Sequence, residues 1–139
     1  MTPTLIFPQR LRRQLESEAR GAFPRECCGL IEGVRFANSF EIAFLHPAEN
    51  LSRDADRFEI NPAEHIRHLK AARARHADII GCYHSHPNGE AEPSAIDLAG
   101  ASEENFLWII AGLTACQSEV TLAHFVFARG KFSSVANTE

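Results

Sequence analysis

Apolar positions in this chain recur with two different periods. Leu11, Leu15 and Ala19 fall four apart and predict a helix. Pro8 suits its first turn, and Gly21 and Pro24 end it. Arg12, Arg13, Glu16 and Arg20 occupy the other face, as a solvated face would. Before the helix, Leu5-Ile6-Phe7 reads as a short strand. After it come short β-prone runs at Cys28–Val34, Phe40–Leu45 and Arg57–Ile60, the last by alternation. From 46 to 56 the chain is polar and carries Pro47 and Asn50, which predicts a loop. Asn61-Pro62-Ala63-Glu64 is a helix start: a cap, a proline at the first position and an acid three after the cap. That helix is expected to reach about His76, with Ala63, Ile66 and Leu69 turned inward. Asp78–His84 reads as a buried strand, and Pro87 biases His86 toward extended backbone, so the strand is expected to continue to His86. Ser94 opens a short helix to about Ala101. Leu107–Ala111, Thr121–Ala128 and Lys131–Val135 are further strands, the last two forming a hairpin at Arg129-Gly130. No repeat, linker or low-complexity tract interrupts this order. The expectation is one α/β domain over residues 1–139 with a mixed sheet.

Composition changes little. A hydrophobic fraction of 45% and a charged fraction of 23% are ordinary for a globular chain. A net charge of −4 gives no pull toward nucleic acid or anionic membrane. The longest apolar run, Phe106 to Leu113, is too short to span a bilayer. Met1-Thr2-Pro3-Thr4 has no basic-then-apolar leader pattern, so a cytoplasmic chain with reduced thiols at Cys27, Cys28, Cys82 and Cys116 is expected. A disulfide between the adjacent Cys27 and Cys28 would be unusual, and Cys82 reads as a small core residue.

The chemistry concentrates in His84-Ser85-His86-Pro87 and, six residues on, Ser94-Ala95-Ile96-Asp97. Two histidines one residue apart on a strand point the same way and can reach one metal ion. Asp97 can return as a third, oxygen ligand. Three protein ligands leave a position open, which is the pattern of a catalytic zinc site. Bound water then needs a base, and Glu26, in Pro24-Arg25-Glu26-Cys27-Cys28-Gly29, is the upstream candidate. Ser94 and Asp97 also fit a plain helix N-terminus, as cap and first-turn acid; the two roles are compatible. A rival metal face exists on the second helix, where His65 and His68 are three apart near Glu64 and His76. Arg67, Lys70, Arg73 and Arg75 on that helix disfavour a cation, so it reads as a solvated basic face. Glu90 and Glu92 lie in the Asn88–Pro93 loop that borders the candidate site and read as a solvated turn.

Glu26 to Gly29, followed by His84-x-His86-Pro87-x6-Ser94-x-x-Asp97, resembles the signature of the JAMM zinc metallopeptidases, the catalytic branch of the MPN domain family. The resemblance implies the MPN fold, related to the deaminase-like α/β/α sandwich. It implies Zn2+ on His84, His86 and Asp97, Glu26 as the base, and Ser94 as a hydrogen-bond donor to the oxyanion. It implies cleavage after the Gly-Gly tail of a ubiquitin-fold partner; a homodimer is compatible with it. Eukaryotic deubiquitinating members carry long insertions around the site. Only nine residues separate Asp97 from Leu107, which leaves no room for the second of them. The expectation moves to compact relatives acting on bacterial sulfur-carrier proteins. Three alternatives stand beside it. An inactive MPN scaffold would lose the ligands. A phage-tail-type peptidase often carries a peptidoglycan-hydrolase domain. A zinc deaminase would need a Pro-Cys-x-x-Cys pair, which is absent.

Overall fold

The computed structural model describes residues 3–116 and 119–137. Met1 and Thr2, read above for a leader pattern, lie outside the described residues. Among the described residues, eight strands and three helices follow in the order β1 (Thr4–Ile6), α1 (Gln9–Ala22), β2 (Cys28–Phe36), β3 (Ser39–Ala48), α2 (Pro62–Ala74), β4 (Asp78–His86), α3 (Ala95–Gly100), β5 (Phe106–Gly112), β6 (Thr121–Ala128), β7 (Lys131–Ser134) and β8 (Ala136–Asn137). The strands form one mixed sheet in the order β7-β6-β5-β4-β2-β3-β1-β8. β7 and β8 stand at opposite ends of that order yet are separated in the chain by Val135 alone. The sheet therefore curls until its two edges meet. Val135 N–H donates to the His124 carbonyl of β6 and Ala136 N–H to the Pro3 carbonyl beside β1.

Each face of the sheet has its own core. Leu11, Leu15 and Ala19 of α1 pack on the inner face against Ile31, Ile42, Ile80, Tyr83, Leu107 and Ile109. On the outer face α2 covers Leu30, Ile79, Cys82, Phe106 and Trp108 through Ala72 and Leu69. β2, β4 and β5 are thus buried on both sides, which is why their sequences are nearly continuous apolar runs.

A bulge decides which way the histidines face. β2 and β4 pair antiparallel, and the register shifts where Ile31 and Glu32 oppose Gly81 and Ile79. Ile80 is the extra residue. Ile79 points outward and Ile80 inward, and after the extra residue Cys82 points outward again. His84 and His86 follow Cys82 onto the α2 side. A bulge placed beside a site re-aims side chains in this way.

Four expectations are corrected. Arg57–Ile60 is not a strand, because Asn50 takes its backbone groups: the Arg57 carbonyl accepts from Asn50 Nδ2 at 3.1 Å, and Glu59 N–H donates to Asn50 Oδ1 at 3.0 Å. The inward face of α2 is rotated from that expected. Ala63 is exposed and Ile66 is 54% exposed, while Ala72 is fully buried and Leu69 half-buried. His65 and His68 are not part of a solvated face. His65 stacks on Phe106, and His68 stacks on His46 with ring centres 4.3 Å apart. The α2 C-terminus is anchored by Arg75, whose Nε donates to the buried Glu32 carboxylate at 2.8 Å. The His46 ring meets the other Glu32 oxygen at 2.8 Å. His46 itself belongs to β3, which runs three residues beyond the expected end.

Candidate metal centre

Strand alternation places the His84 and His86 side chains together at the end of β4. Their Nε2 atoms are 3.0 Å apart. Asp97 Oδ2 lies 3.2 Å from His84 Nε2 and 3.1 Å from His86 Nε2. Asp97 is brought there by α3, whose start is a reciprocal capping box: Asp97 N–H donates to Ser94 Oγ at 3.0 Å, and Ser94 N–H donates to Asp97 Oδ2 at 2.9 Å. The capping box thus leaves Asp97 Oδ2 facing both imidazoles.

These distances test whether a metal fits. Two imidazole nitrogens cannot present lone pairs to each other at 3.0 Å without a proton or cation between them. A tetrahedral zinc with bonds of about 2.0–2.1 Å holds its donors about 3.3 Å apart. The three donors fit one face of such a polyhedron, and the residues present suit zinc. His86 Nδ1 donates to the Glu90 carbonyl at 2.7 Å, which leaves Nε2 to carry the lone pair toward the site.

Glu26 stands behind this cluster. It is 4% exposed, and its Oε1 is buried with no hydrogen-bond partner. Its carboxylate and the two imidazoles have donor atoms within 4.8 Å of one another. Two carboxylates thus approach the same nitrogens at two distances: Asp97 in contact, Glu26 set back beyond hydrogen-bond reach. The Glu26 peptide is held from both sides. Asn50 Nδ2 donates to the Glu26 carbonyl at 3.1 Å, and Cys27 N–H donates to Ser85 Oγ at 2.8 Å.

Burial sets the electrostatics. It pushes the Glu26 carboxyl up to about 7, against the lowering influence of His86 and with a further rise from Asp97 and Asp56. Burial pushes the His84 imidazole down, despite Asp97. It also opposes charge on His86, but the Asp97 carboxylate and the Glu90 carbonyl outweigh it and raise that group. For Asp97 burial is outweighed by the hydrogen bonds from His84 and His86, which hold its carboxyl well below the usual range. Burial drives the Cys27 and Cys28 thiols up to about 12, so they remain protonated. Cys27, Cys28 and Cys82 are free thiols.

A cleft of about 510 Å3 opens over the cluster. Glu26, His86 and Ser94 line it together with Ala55, Asp56, Glu90 and Glu92. The Asn88–Pro93 loop therefore does border the site, as its position in the sequence suggested. His65 and His68 lie away from this cleft and join no metal-binding group among the described residues. Sequence reasoning missed Ser85 and Asn50. Ser85 was legible only as the residue between two histidines, and Asn50 only as a polar loop residue.

The chain matches the family of prokaryotic homologs of the JAB domain, Prok-JAB, over residues 8–126. It belongs to that family. It is 33% identical over 93 residues to a desampylase of Haloferax volcanii, with 66% of each chain covered. It is 27% identical over 107 residues to a desampylase of Pyrococcus furiosus, covering 77% of this chain and 73% of that one. A third relative, tail tip assembly protein K of Escherichia phage N15, is 27% identical over 95 residues, which span 68% of this chain but only 35% of the phage protein. The solution structure of a Desulfitobacterium hafniense protein superposes with a TM-score of 0.82 at 26% identity, covering 96% of this chain and 90% of that one. The crystal structure of a JAB1/MPN domain protein from Archaeoglobus fulgidus gives a TM-score of 0.57 at 17% identity over 99% and 98% of the two chains, a likeness of fold. The fold is the JAB/MPN fold, with a mixed sheet flanked by helices as expected. No helix among the described residues is long and apolar enough to cross a membrane.

Proposed function

We propose that the chain is a zinc-dependent peptidase that hydrolyses a peptide or isopeptide bond after the Gly-Gly tail of a ubiquitin-like or sulfur-carrier protein. The observation that carries this reading is the pair of carboxylates at two distances from one pair of imidazoles. His84, His86 and Asp97 would hold the ion, and Ser94 N–H holds the Asp97 oxygen that faces both rings. A bound Zn2+ would lower the pKa of its water toward about 7 and polarise the scissile carbonyl. Glu26 is set back by the room a water needs, and in the metal-free chain burial raises its carboxyl to about 7. A general base works best there. Its unpartnered oxygen takes a proton from the attacking water and returns it to the leaving amine. Ser94 Oγ already accepts from Asp97 N–H, so its own O–H is free to donate toward the cleft, where oxyanion charge develops.

The desampylase relatives, named for the removal of a group, support a hydrolase acting on a conjugated protein. The phage relative keeps a phage-tail-type peptidase as the second reading, although its match covers a third of that protein. An inactive scaffold would have no use for a buried carboxylate without a partner. A deaminase would need a Pro-Cys-x-x-Cys ligand pair, which the sequence lacks.

The test is zinc content and turnover measured side by side, on a ubiquitin-like protein extended beyond its Gly-Gly tail. The parent should hold about one zinc per chain. His84→Ala and Asp97→Asn should lose most of it; the asparagine keeps an oxygen for the Ser94 N–H, so the helix start survives while the charge is removed. Glu26→Gln should keep the zinc and lose turnover by ~10²–10⁴. Ser94→Ala should keep the zinc and lose ~10²–10³. Full zinc in either ligand variant, or parent turnover in Glu26→Gln, would overturn the assignment.

A further inference from the structure

The two histidines of the candidate centre are oriented by different devices. A metal-binding imidazole is normally fixed by a hydrogen bond from its second nitrogen. His86 has one, to the Glu90 carbonyl. His84 does not: the residue is fully buried and its Nδ1 has no partner. Its ring is instead boxed by aromatic groups. Phe58 stacks on it with centres 4.4 Å apart and planes 27° apart, and Trp108 meets it edge-on at 5.8 Å and 87°. Phe58 and Trp108 also touch each other edge-to-face at 5.9 Å.

We infer that Phe58 is a positioning residue for His84, supplying by stacking the orientation that His86 obtains from a hydrogen bond. The inference rests on the metal reading above. Phe58 lies in the irregular segment between β3 and α2, and that segment is held rigid where it matters. Asn50 donates to the Arg57 carbonyl and accepts from the Glu59 N–H, which are the residues on either side of Phe58. Leu51 N–H donates to the Glu59 carbonyl at 2.9 Å, and Ser52 N–H to Asn50 Oδ1 at 3.0 Å. The same Asn50 side chain holds the Glu26 carbonyl. One side chain therefore sets both the stacking ring over the ligand and the peptide of the base. A flat ring over an imidazole resists its rotation about the Cβ–Cγ bond; a flexible aliphatic group of similar bulk fills the space without fixing the plane.

The experiment is a zinc titration of the metal-free full chain against a chelator of known affinity, with Co2+ absorption as a second probe of ligand geometry. Phe58→Tyr should bind zinc as the parent does. Phe58→Leu should restore most of the thermal stability lost in Phe58→Ala yet bind zinc ~10–100-fold more weakly than the parent, the range seen when an outer partner of a metal ligand is removed. Its Co2+ bands should shift. Asn50→Ala should weaken zinc in the same direction. If Phe58→Leu binds zinc with parent affinity and an unchanged Co2+ spectrum, Phe58 is packing only and the inference fails. If the parent itself holds no zinc, the metal reading fails instead.

Discussion

Ser85 and Cys27 hold each other through two hydrogen bonds. Cys27 N–H donates to Ser85 Oγ at 2.8 Å, and Ser85 N–H donates to the Cys27 carbonyl at 3.1 Å. Ser85 sits between the two histidines and faces the opposite side of β4; Cys27 follows Glu26 directly. The pair therefore ties the segment bearing Glu26 to the strand bearing His84 and His86.

Ser85→Ala should cost ~1–2 kcal/mol in urea unfolding, because it leaves a partly buried N–H without its acceptor. It should also lower turnover while leaving zinc in place, since it loosens Glu26 and not the ligands. Turnover at the parent rate with the stability loss present would mean that this pairing does not position the base.

The Glu26 carboxyl gives a stability signature that needs no substrate. Burial raises it from an unfolded value of about 4.3 to about 7 in the folded, metal-free chain. The folded state then holds the proton more tightly than the unfolded state. That contribution is fully present below about pH 4, and it is lost as pH rises to 7. Metal-free Glu26→Gln should match the parent near pH 4 and exceed it by ~3–4 kcal/mol at pH 8. Chemical denaturation in the presence of a chelator measures this. An equal gap at both pH values would show that the carboxylate is not strained by burial.

Gly29 is the motif position whose need the structure explains. A Cβ on Gly29 would stand 2.3 Å from the ring of Tyr83. Tyr83 is fully buried, and its hydroxyl donates to Glu18 at 2.7 Å, so the ring has nowhere to retreat. Gly29→Ala should destabilise by ~1–3 kcal/mol through overpacking. Tyr83→Leu in the same chain should recover part of that loss. A thermal melt of Gly29→Ala at the parent midpoint would remove the steric account.

Local signals survived folding where one residue's chemistry sufficed. The helix starts at Asn61 and Ser94 are capped by those residues: Asn61 Oδ1 accepts from Ala63 N–H, and Ser94 forms the capping box with Asp97. The His84 and His86 pairing followed from strand alternation alone. What stayed hidden depended on partners distant in the chain. The bulge at Ile80 cannot be seen in a strand that is apolar on both faces, since period two leaves no mark there. The face of α2 was misjudged because Glu32 and His46 recruit Arg75 and His68 to the sheet side, so apolar spacing at Ala63 and Ile66 did not decide it. Asn50 looked like a turn residue; three of its four hydrogen bonds, to 52, 57 and 59, lie within its own loop, and the fourth, to the Glu26 carbonyl, exists only once β2 and β3 are paired.

The last prediction concerns substrate. The connection from α3 to β5 is only residues 101–105, so no long insertion follows the site to embrace a second globular protein. On the proposed reading, the cleft would select through the tail that enters it. Glu26, His86 and Ser94 share the lining of the cleft with Ala55, Asp56, Glu90 and Glu92, and a tail would have to pass between these side chains. Backbone without Cβ atoms passes such a gap most easily, and glycine alone supplies it. An extended tail can also pair with backbone at the rim, so that main-chain hydrogen bonds carry affinity. Mass spectrometry of three matched substrates separates these ideas. A ubiquitin-like protein ending Gly-Gly-X should be cut after the second glycine, with its Ala-Ala-X counterpart cut at least ~10-fold more slowly, since even one methylene of misfit is worth that ratio. Linked diubiquitin should be a poor substrate. Equal cutting of Ala-Ala-X would end the steric argument, and efficient cutting of diubiquitin would end the assignment to compact, tail-reading substrates.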